Sequence, residues 1–397
     1  MKESTRQPSI YVAPTLSSED LAVLAEIHQM RKTLQHLLRT PRRWQGGLRR
    51  SALARAIRGS NSIEGYEVDE DDAAAALDDE EPISADERTF LEIQGYRDAL
   101  GYVLAMGEED YLAFDTTELR AMHFMMLRHD GSKSPGRYRK GPVFVHDERH
   151  DRVVYEGADA ENVPALMDAL VESLRGGAEL DPVVRSAMAH LNLVMIHPFR
   201  DGNGRMARAL ATSVLTRSDI SEPEFSSIEE WLGANTEDYY AVLALTGNGS
   251  WQPSRDAGLW VSFNLRAHHM QAQTVARRFQ EAGETWGELD TLVTRHRLPE
   301  RSIDAMFEAV LGYRVRRNTY RKRTGVEEQT ATRDLAALAN AGVLTPHGNG
   351  RGRFYTAGEP LQMIQQNRKS QRHPLRDPYS WMRPRLATPI QEPSTKP

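Results

Sequence analysis

Residues 181–216, DPVVRSAMAHLNLVMIHPFRDGNGRMARALATSVLT, restrict the fold more than any other stretch of the chain. Val184, Ala187, Leu191 and Val194 recur at the spacing of one helix face, with Asp181 as a cap and Pro182 at the first helical position. The apolar period resumes in GRMARALATSVLTR, with Gly204 near the start of the second helix. Between them, HPFRDGN has no helical period. The polar, glycine-containing stretch therefore lies in a helix–loop–helix.

The rest of the chain agrees with a mostly α architecture. The spacing predicts helices over 18–40 (Leu21, Leu24, Ile27, Leu34), over LRRSALARAIR with a break at Gly59 and a short helix beyond it, and over ADERTFLEIQGYRDALGYVLAMG. It predicts others over FDTTELRAMHFMML, AENVPALMDALVESL, 226–245 and 257–282. Strand alternation occurs in VFV and RVVY, residues 143–155, which predicts a β-hairpin. Residues 361–397 are polar and Pro-rich, and their composition predicts a disordered tail.

Composition works by exclusion. The 397 residues contain no cysteine, which removes disulfides, thiolate metal sites and a cysteine nucleophile together and fits a reducing, cytoplasmic setting. No apolar run is long enough to span a bilayer, and the first residues lack the apolar core of a secretory leader, so no membrane partner is expected. A net charge of −6 favours no partner in bulk. Its distribution is uneven: 31–58 is Arg-rich, 67–82 acidic and 314–323 (RVRRNTYRKR) basic, runs whose default meaning is solvated surface.

The tripeptide GNG occurs three times, at Gly202, Gly247 and Gly348, so alone it signals a turn. Only the first follows His-Pro-Phe and an acid and precedes two arginines. Gly202, Asn203 and Gly204 let successive backbone N–H groups point at one anion, in front of a helix whose first N–H groups lack partners. Arg205 and Arg208 share a face of that helix and suit phosphate oxygens. Asp201 offers hard oxygen to Mg²⁺. His197 titrates near neutrality and can accept a proton from a hydroxyl. Phe199, packed inward, would pin the loop. These parts together form a site for a nucleotide polyphosphate beside a general base.

HPFRDGNGRMAR is similar at every fixed position to the HxFx(D/E)GNGRxxR signature of the Fic family of AMP-transferring proteins. The resemblance implies the fold: a Fic helical bundle with a β-hairpin flap, followed by a C-terminal winged helix-turn-helix. It implies the activity: transfer of AMP from ATP to a Tyr, Thr or Ser hydroxyl of a protein, self-modification included. His197 would then be the base, Asp201 the Mg²⁺ ligand, and Gly202, Asn203 and Gly204 the cradle of the α- and β-phosphates. Arg205 would contact the departing pyrophosphate and Arg208 the γ-phosphate. Val145 and His146 of the hairpin would dock the target, and Tyr239 and Tyr240 would contact adenine.

SNSIEG, read locally, is a helix start with Asn61 and Glu64 as a capping box. It also matches the family's inhibitory motif (S/T)xxxE(G/N) through Ser60, Glu64 and Gly65. The resemblance implies that Glu64 pairs with Arg208 and withholds it from ATP. The resulting organisation is 1–90 for the N-terminal helices, 91–250 for the catalytic core, 251–297 for a helical connector, 298–360 for the winged helix and 361–397 for the tail. Expected partners are ATP, a hydroxyl-bearing protein, DNA through Gln329, Thr332 and Arg333 of the winged helix, and a second copy of the chain. Competing outcomes are a nucleotide-responsive DNA-binding regulator, AMP removal, or transfer of another nucleotide or of phosphocholine on the same scaffold.

Overall fold

The structure is a computed structural model that describes residues 9–107, 109, 113–147, 152–176, 179–218, 220 and 227–387. Helix α1 (Ser18–Leu38) opens on a capping box between Ser17 and Asp20 and buries Val23, Leu24, Ile27 and Leu34, leaving Leu21 at the surface. Then come α2 (Gln45–Ile63), α3 (Glu70–Leu77), α4 (Glu87–Met106) and α5 (Thr116–Leu127). The hairpin is β1 (Phe144–Asp147) against β2 (Arg152–Glu156), antiparallel, with Val145 opposite Tyr155. Helices α6 (Val163–Gly176), α7 (Pro182–Ile196), α8 (Asn203–Thr216), α9 (Glu229–Ala234), α10 (Thr236–Gly247) and α11 (Gly258–His296) complete the bundle.

The α7–α8 pair is as the sequence predicts. Asp181 caps α7 by accepting the Val183 N–H at 2.9 Å, and Pro182 stands in the first turn. Both helices are buried almost all round, so they form the centre of the bundle. Around them one apolar core joins α2 to α8, and a second joins α1, α7 and the first half of α11, where the Trp260 indole N–H donates to the Ala187 carbonyl.

A third core lies in the C-terminal unit: α12 (Ile303–Leu311), β3 (Val315–Arg316), α13 (Arg317–Thr324), α14 (Glu328–Asn340), β4 (Leu344–His347), β5 (Phe354–Ala357) and α15 (Glu359–Ser370). Its strands form one antiparallel sheet in the order β3-β5-β4. The expected connector is not a separate element. Helix α11 runs unbroken for 39 residues, its start in the second core and its end, through Leu289 and Val293, in the third.

Two sequence expectations are corrected here. Gly59 does not break a helix, because α2 continues through it to Ile63. A Cβ at Gly59 would lie 2.4 Å from the Glu229 carbonyl oxygen, and one at Gly233 would lie 2.8 Å from Gly59 Cα. The glycines permit two backbones to touch where α2 crosses α9. Alanine at Gly59 is expected to lower stability by about 1–3 kcal/mol, overpacking outweighing its better helix propensity, as urea unfolding would report.

The tail is also ordered over most of its length. Leu361 and Ile364 enter the third core, and Tyr379, Met382 and Leu386, the last two on α16 (Met382–Leu386), enter the second. Tyr379 donates its hydroxyl proton to Asp20 at 2.6 Å, and Arg266 grips Asp377. Sparse apolar anchors in a polar stretch escape a compositional reading. Residues 388–397 lie outside the described residues.

Candidate active site

The loop between α7 and α8 is shaped by its own side chains. His197 ends α7 in the left-handed region, with φ of 54°. The Asn203 amide closes a ring with Phe199, accepting its N–H at 2.9 Å and donating to its carbonyl at 3.0 Å. Phe199 is fully buried and stacks on His123 with ring centres 3.7 Å apart. His123 Nδ1 accepts the Gly136 N–H, so Nε2 carries the proton and donates to the Asp201 carbonyl at 2.9 Å. Burial holds the His123 imidazole neutral, its pKa lowered to about 4.

Arg139 completes the frame. Its Nε donates to the His197 carbonyl at 2.7 Å, Nη1 to the Gly141 carbonyl at 2.7 Å, and Nη2 to the carbonyls of Ala158 and Ile196. One buried guanidinium thus answers the orphan carbonyls at the end of α7 and ties both ends of the hairpin to them. The His197 ring is oriented from within: Nδ1 donates to the Val194 carbonyl at 3.1 Å, so the lone pair is on Nε2. Burial, followed by the Val194 bond acting in the opposite sense and the Arg139 charge, sets a net pKa below the ordinary histidine value.

Gly202, with φ of 75°, leads into α8, whose first turn has no side-chain cap. The first N–H groups of α8 therefore face outward without intrahelical partners, an anion site by construction. Asp201 accepts the Gly202 N–H at 2.6 Å and the Lys133 ammonium at 2.9 Å, its carboxylate about two-fifths exposed. Burial alone would raise its pKa; Lys133, Arg205 and the Gly202 bond outweigh that and lower it.

Arg205 departs from expectation. It is fully buried beneath the loop, Nη1 donating to Glu92 at 2.6 Å, with the Tyr66 ring over its guanidinium. No surface of it is open to a phosphate. Glu92, 1% exposed, also takes Lys133 at 2.5 Å. Burial opposes ionisation of Glu92, yet Arg205, Lys133 and His129 outweigh it and lower its pKa to about 2.

Glu64 and Arg208 meet where the motif predicts. Helix α2 ends at Ile63, and Glu64 follows as its C-cap before Gly65 at φ of 82°, so SNSIEG is a helix end rather than a start. Arg208 Nη2 donates to Glu64 Oε1 at 2.7 Å and to the Ser60 carbonyl at 2.9 Å, while Nε donates to Ser60 Oγ at 2.7 Å. Arg208 Nη1 is buried with no hydrogen-bond partner among the described residues. Burial works against the charge, but the Glu64 carboxylate outweighs it and raises the Arg208 pKa. A Cβ at Gly204 would stand 2.3 Å from Glu64 Oε1, so the carboxylate lies directly against the start of α8, in space only glycine leaves.

The remaining expected residues divide. Tyr239 is corrected: it is 1% exposed, shares a hydrogen bond of 2.9 Å with His190 Nε2 and packs on Trp260, so it walls the site from behind. Tyr240 is 46% exposed and donates to the Ile63 carbonyl at 3.0 Å, beside Glu64. The two rings pack on each other with centres 5.4 Å apart, Tyr240 on the outer side. Val145 is half-buried against the second core, and the apolar residues that the hairpin exposes are Phe144 and Val153. His146 pairs with Val153 through its backbone, and its side chain lies outside the described residues.

His123, Lys133, Arg139 and Glu92 carry no local signal and emerge only from the fold. Their one trace in the sequence is that GRYRKGP places Arg139 just ahead of the hairpin.

Residues 113–215, from just before α5 to the end of α8, match the family model described as the Fic/DOC family. Over those residues the chain is similar to the Fic/DOC family. It is 27% identical over 254 residues to protein adenylyltransferase fic-1 of Caenorhabditis elegans, covering 60% of this chain and 45% of that one. It is 29% identical over 164 residues to protein adenylyltransferase Fic of Nematostella vectensis, covering 41% and 35%. The chain thus spans less than half the length of these relatives. A Fic family protein from Desulfovibrio desulfuricans G20 shares the fold, with a TM-score of 0.56 at 23% identity over 88% of this chain and 99% of that one.

Proposed function

We propose that this chain is a protein adenylyltransferase, moving AMP from ATP to the hydroxyl of a protein Tyr, Thr or Ser, with Glu64 as its restraint. The observation that carries the reading is the oriented imidazole of His197, its Nδ1 proton engaged by Val194, next to an uncapped helix start. The hydroxyl oxygen bonds to the α-phosphorus and its proton passes to His197 Nε2. The bond from that phosphorus to the bridging oxygen breaks, and pyrophosphate departs. The N–H groups of Asn203 and Gly204 would line the phosphates, and the exposure of Tyr240 supports it as the adenine contact. The names of the curated relatives support the same chemistry.

Asp201 suits a Mg²⁺ ion. Its partly exposed carboxylate holds an ammonium at 2.9 Å, so the position favours a cation. When bound, the ion would neutralise charge on the α- and β-phosphates.

Glu64 occupies the arginine and the helix start at once, so a triphosphate reaches neither in its productive place. Each ~1.4 kcal/mol of misplacement is a decade of rate, and the Glu64→Gly chain is expected to transfer more than about tenfold faster. Incubation with α-labelled ATP and Mg²⁺ tests this: equal label in wild type and Glu64→Gly would remove the restraint, and label undiminished in His197→Ala would remove the enzyme.

The C-terminal unit supports a second partner. The reading of this unit as a DNA-binding winged helix is supported by its β3-β5-β4 sheet and by the exposure of Gln329, Thr332 and Arg333 on α14.

A further inference from the structure

The acidic run 67–82 and the basic run 314–323 are not two solvated surfaces: they lie on each other. Arg314 gives Asp71 its backbone N–H at 2.6 Å and a guanidinium hydrogen at 3.1 Å. Arg316 reaches Asp71 at 2.7 Å and Glu80 at 3.2 Å. Arg323 reaches Asp78 at 3.3 Å. Asp69, Asp71 and Asp72 stand close enough together to resemble a cation site, and the Arg314 guanidinium supplies the positive charge there. Asp71 is 6% and Asp72 0% exposed, so this is no solvent-screened surface pair.

We propose that the C-terminal unit retains the inhibitory helix: Arg314, Arg316 of β3 and Arg323 of α13 grip α3 and the residues just after it, and so keep Glu64 on Arg208. The inference rests on the inhibitory reading of Glu64 given above. The link from clasp to restraint is short and taut. Only four residues separate Glu64 from Asp69. Within that link Tyr66 N–H returns to the Asn61 carbonyl, and the Val68 carbonyl is held by Arg58 at 2.9 Å. Helix α2 is braced at its other end as well, where Ser51 accepts the buried Tyr313 hydroxyl at 2.9 Å. A shift of the C-terminal unit is therefore a shift of α2 and α3, and the carboxylate at the end of α2 moves with them. Whatever loosens the clasp shares its free energy with the site through one continuous packed body.

The test is Arg314→Gln/Arg316→Gln in the full chain with Glu64 intact. Amides of α3 and of the last turn of α2 are expected to exchange at least about tenfold faster, with α7 and α8 unchanged. Label transfer from α-labelled ATP rises toward the Glu64→Gly level, and adding the two substitutions to Glu64→Gly brings no further rise. Arg314→Lys/Arg316→Lys, which keeps the charge, retains most of the protection. Should the double variant fail to fold, Arg323→Gln at the outer end of the clasp gives the same pattern in smaller measure. Unchanged exchange in α2 and α3 overturns the clasp whatever the activity does. Faster exchange with unchanged transfer, in a protein whose Glu64→Gly variant is active, overturns the coupling. Equal transfer by wild type and Glu64→Gly defeats the inhibitory reading and the coupling with it, while exchange alone still decides whether the clasp holds α3.

Discussion

Alanine at His197, placed in the Glu64→Gly chain so that the rate is measurable, is expected to lower AMP transfer by about 10²–10⁴-fold. Nucleotide affinity should change little, since the N–H groups at the start of α8 and the Asp201 carboxylate remain. The loss follows from geometry. Only Nε2 of this ring is free to take a proton, because Nδ1 is committed to Val194. His197→Asn is the better control for folding, since asparagine tolerates the left-handed backbone that position 197 adopts. The pH profile gives an independent reading. Burial lowers the imidazole pKa below its ordinary 6.5, so the ring stays deprotonated at neutral pH and remains a base into mild acid. Single-turnover rates should be flat above that value and fall only below it. A midpoint above 6.5 would contradict the burial of the ring.

Glu92→Gln is expected to lower stability by about 3–5 kcal/mol, because it strips the shared counter-charge from a buried arginine and a buried lysine. Both cations donate to this one carboxylate, Arg205 at 2.6 Å and Lys133 at 2.5 Å. Urea unfolding at neutral pH would measure the difference. Its pH dependence has a definite sign. The folded carboxyl titrates near about 2 against an ordinary 4.5, a depressed value, so its contribution is complete above about 4.5 and is lost as pH falls toward 2. The gap between wild type and variant should therefore close in acid. A gap constant from pH 7 down to 3 would show that charge is not the source.

What could be read from the chain and what could not have separate physical origins. His197, Asp201 and the glycines were legible because their chemistry is packed into one loop, where spacing alone sets geometry. The Glu64–Arg208 pair, far apart in sequence, was legible only through a family motif. Glu92 and Lys133 are single charged residues in separate segments, and nothing local distinguishes a buried pair from a solvated one. Arg205 was assigned outward because it shares a helix face with Arg208, yet Glu92 and Tyr66 close over it. Gly59 shows the ambiguity of a helical glycine, which marks either an interruption or a close crossing, and only the partner Gly233 decides. The acidic and basic runs were visible as charge, but their mutual contact is a property of the tertiary fold. The adjoining tyrosines were offered together, and burial separates them, Tyr239 inside and Tyr240 exposed.

The ring that Asn203 closes on Phe199 has a consequence for how such a protein is governed. Under the proposed function, a phosphate-binding segment that keeps its shape through its own amide would not wait for a ligand to become ordered. In the function proposed above, control over it would come from outside, with Glu64 as the stopper seated in the mouth.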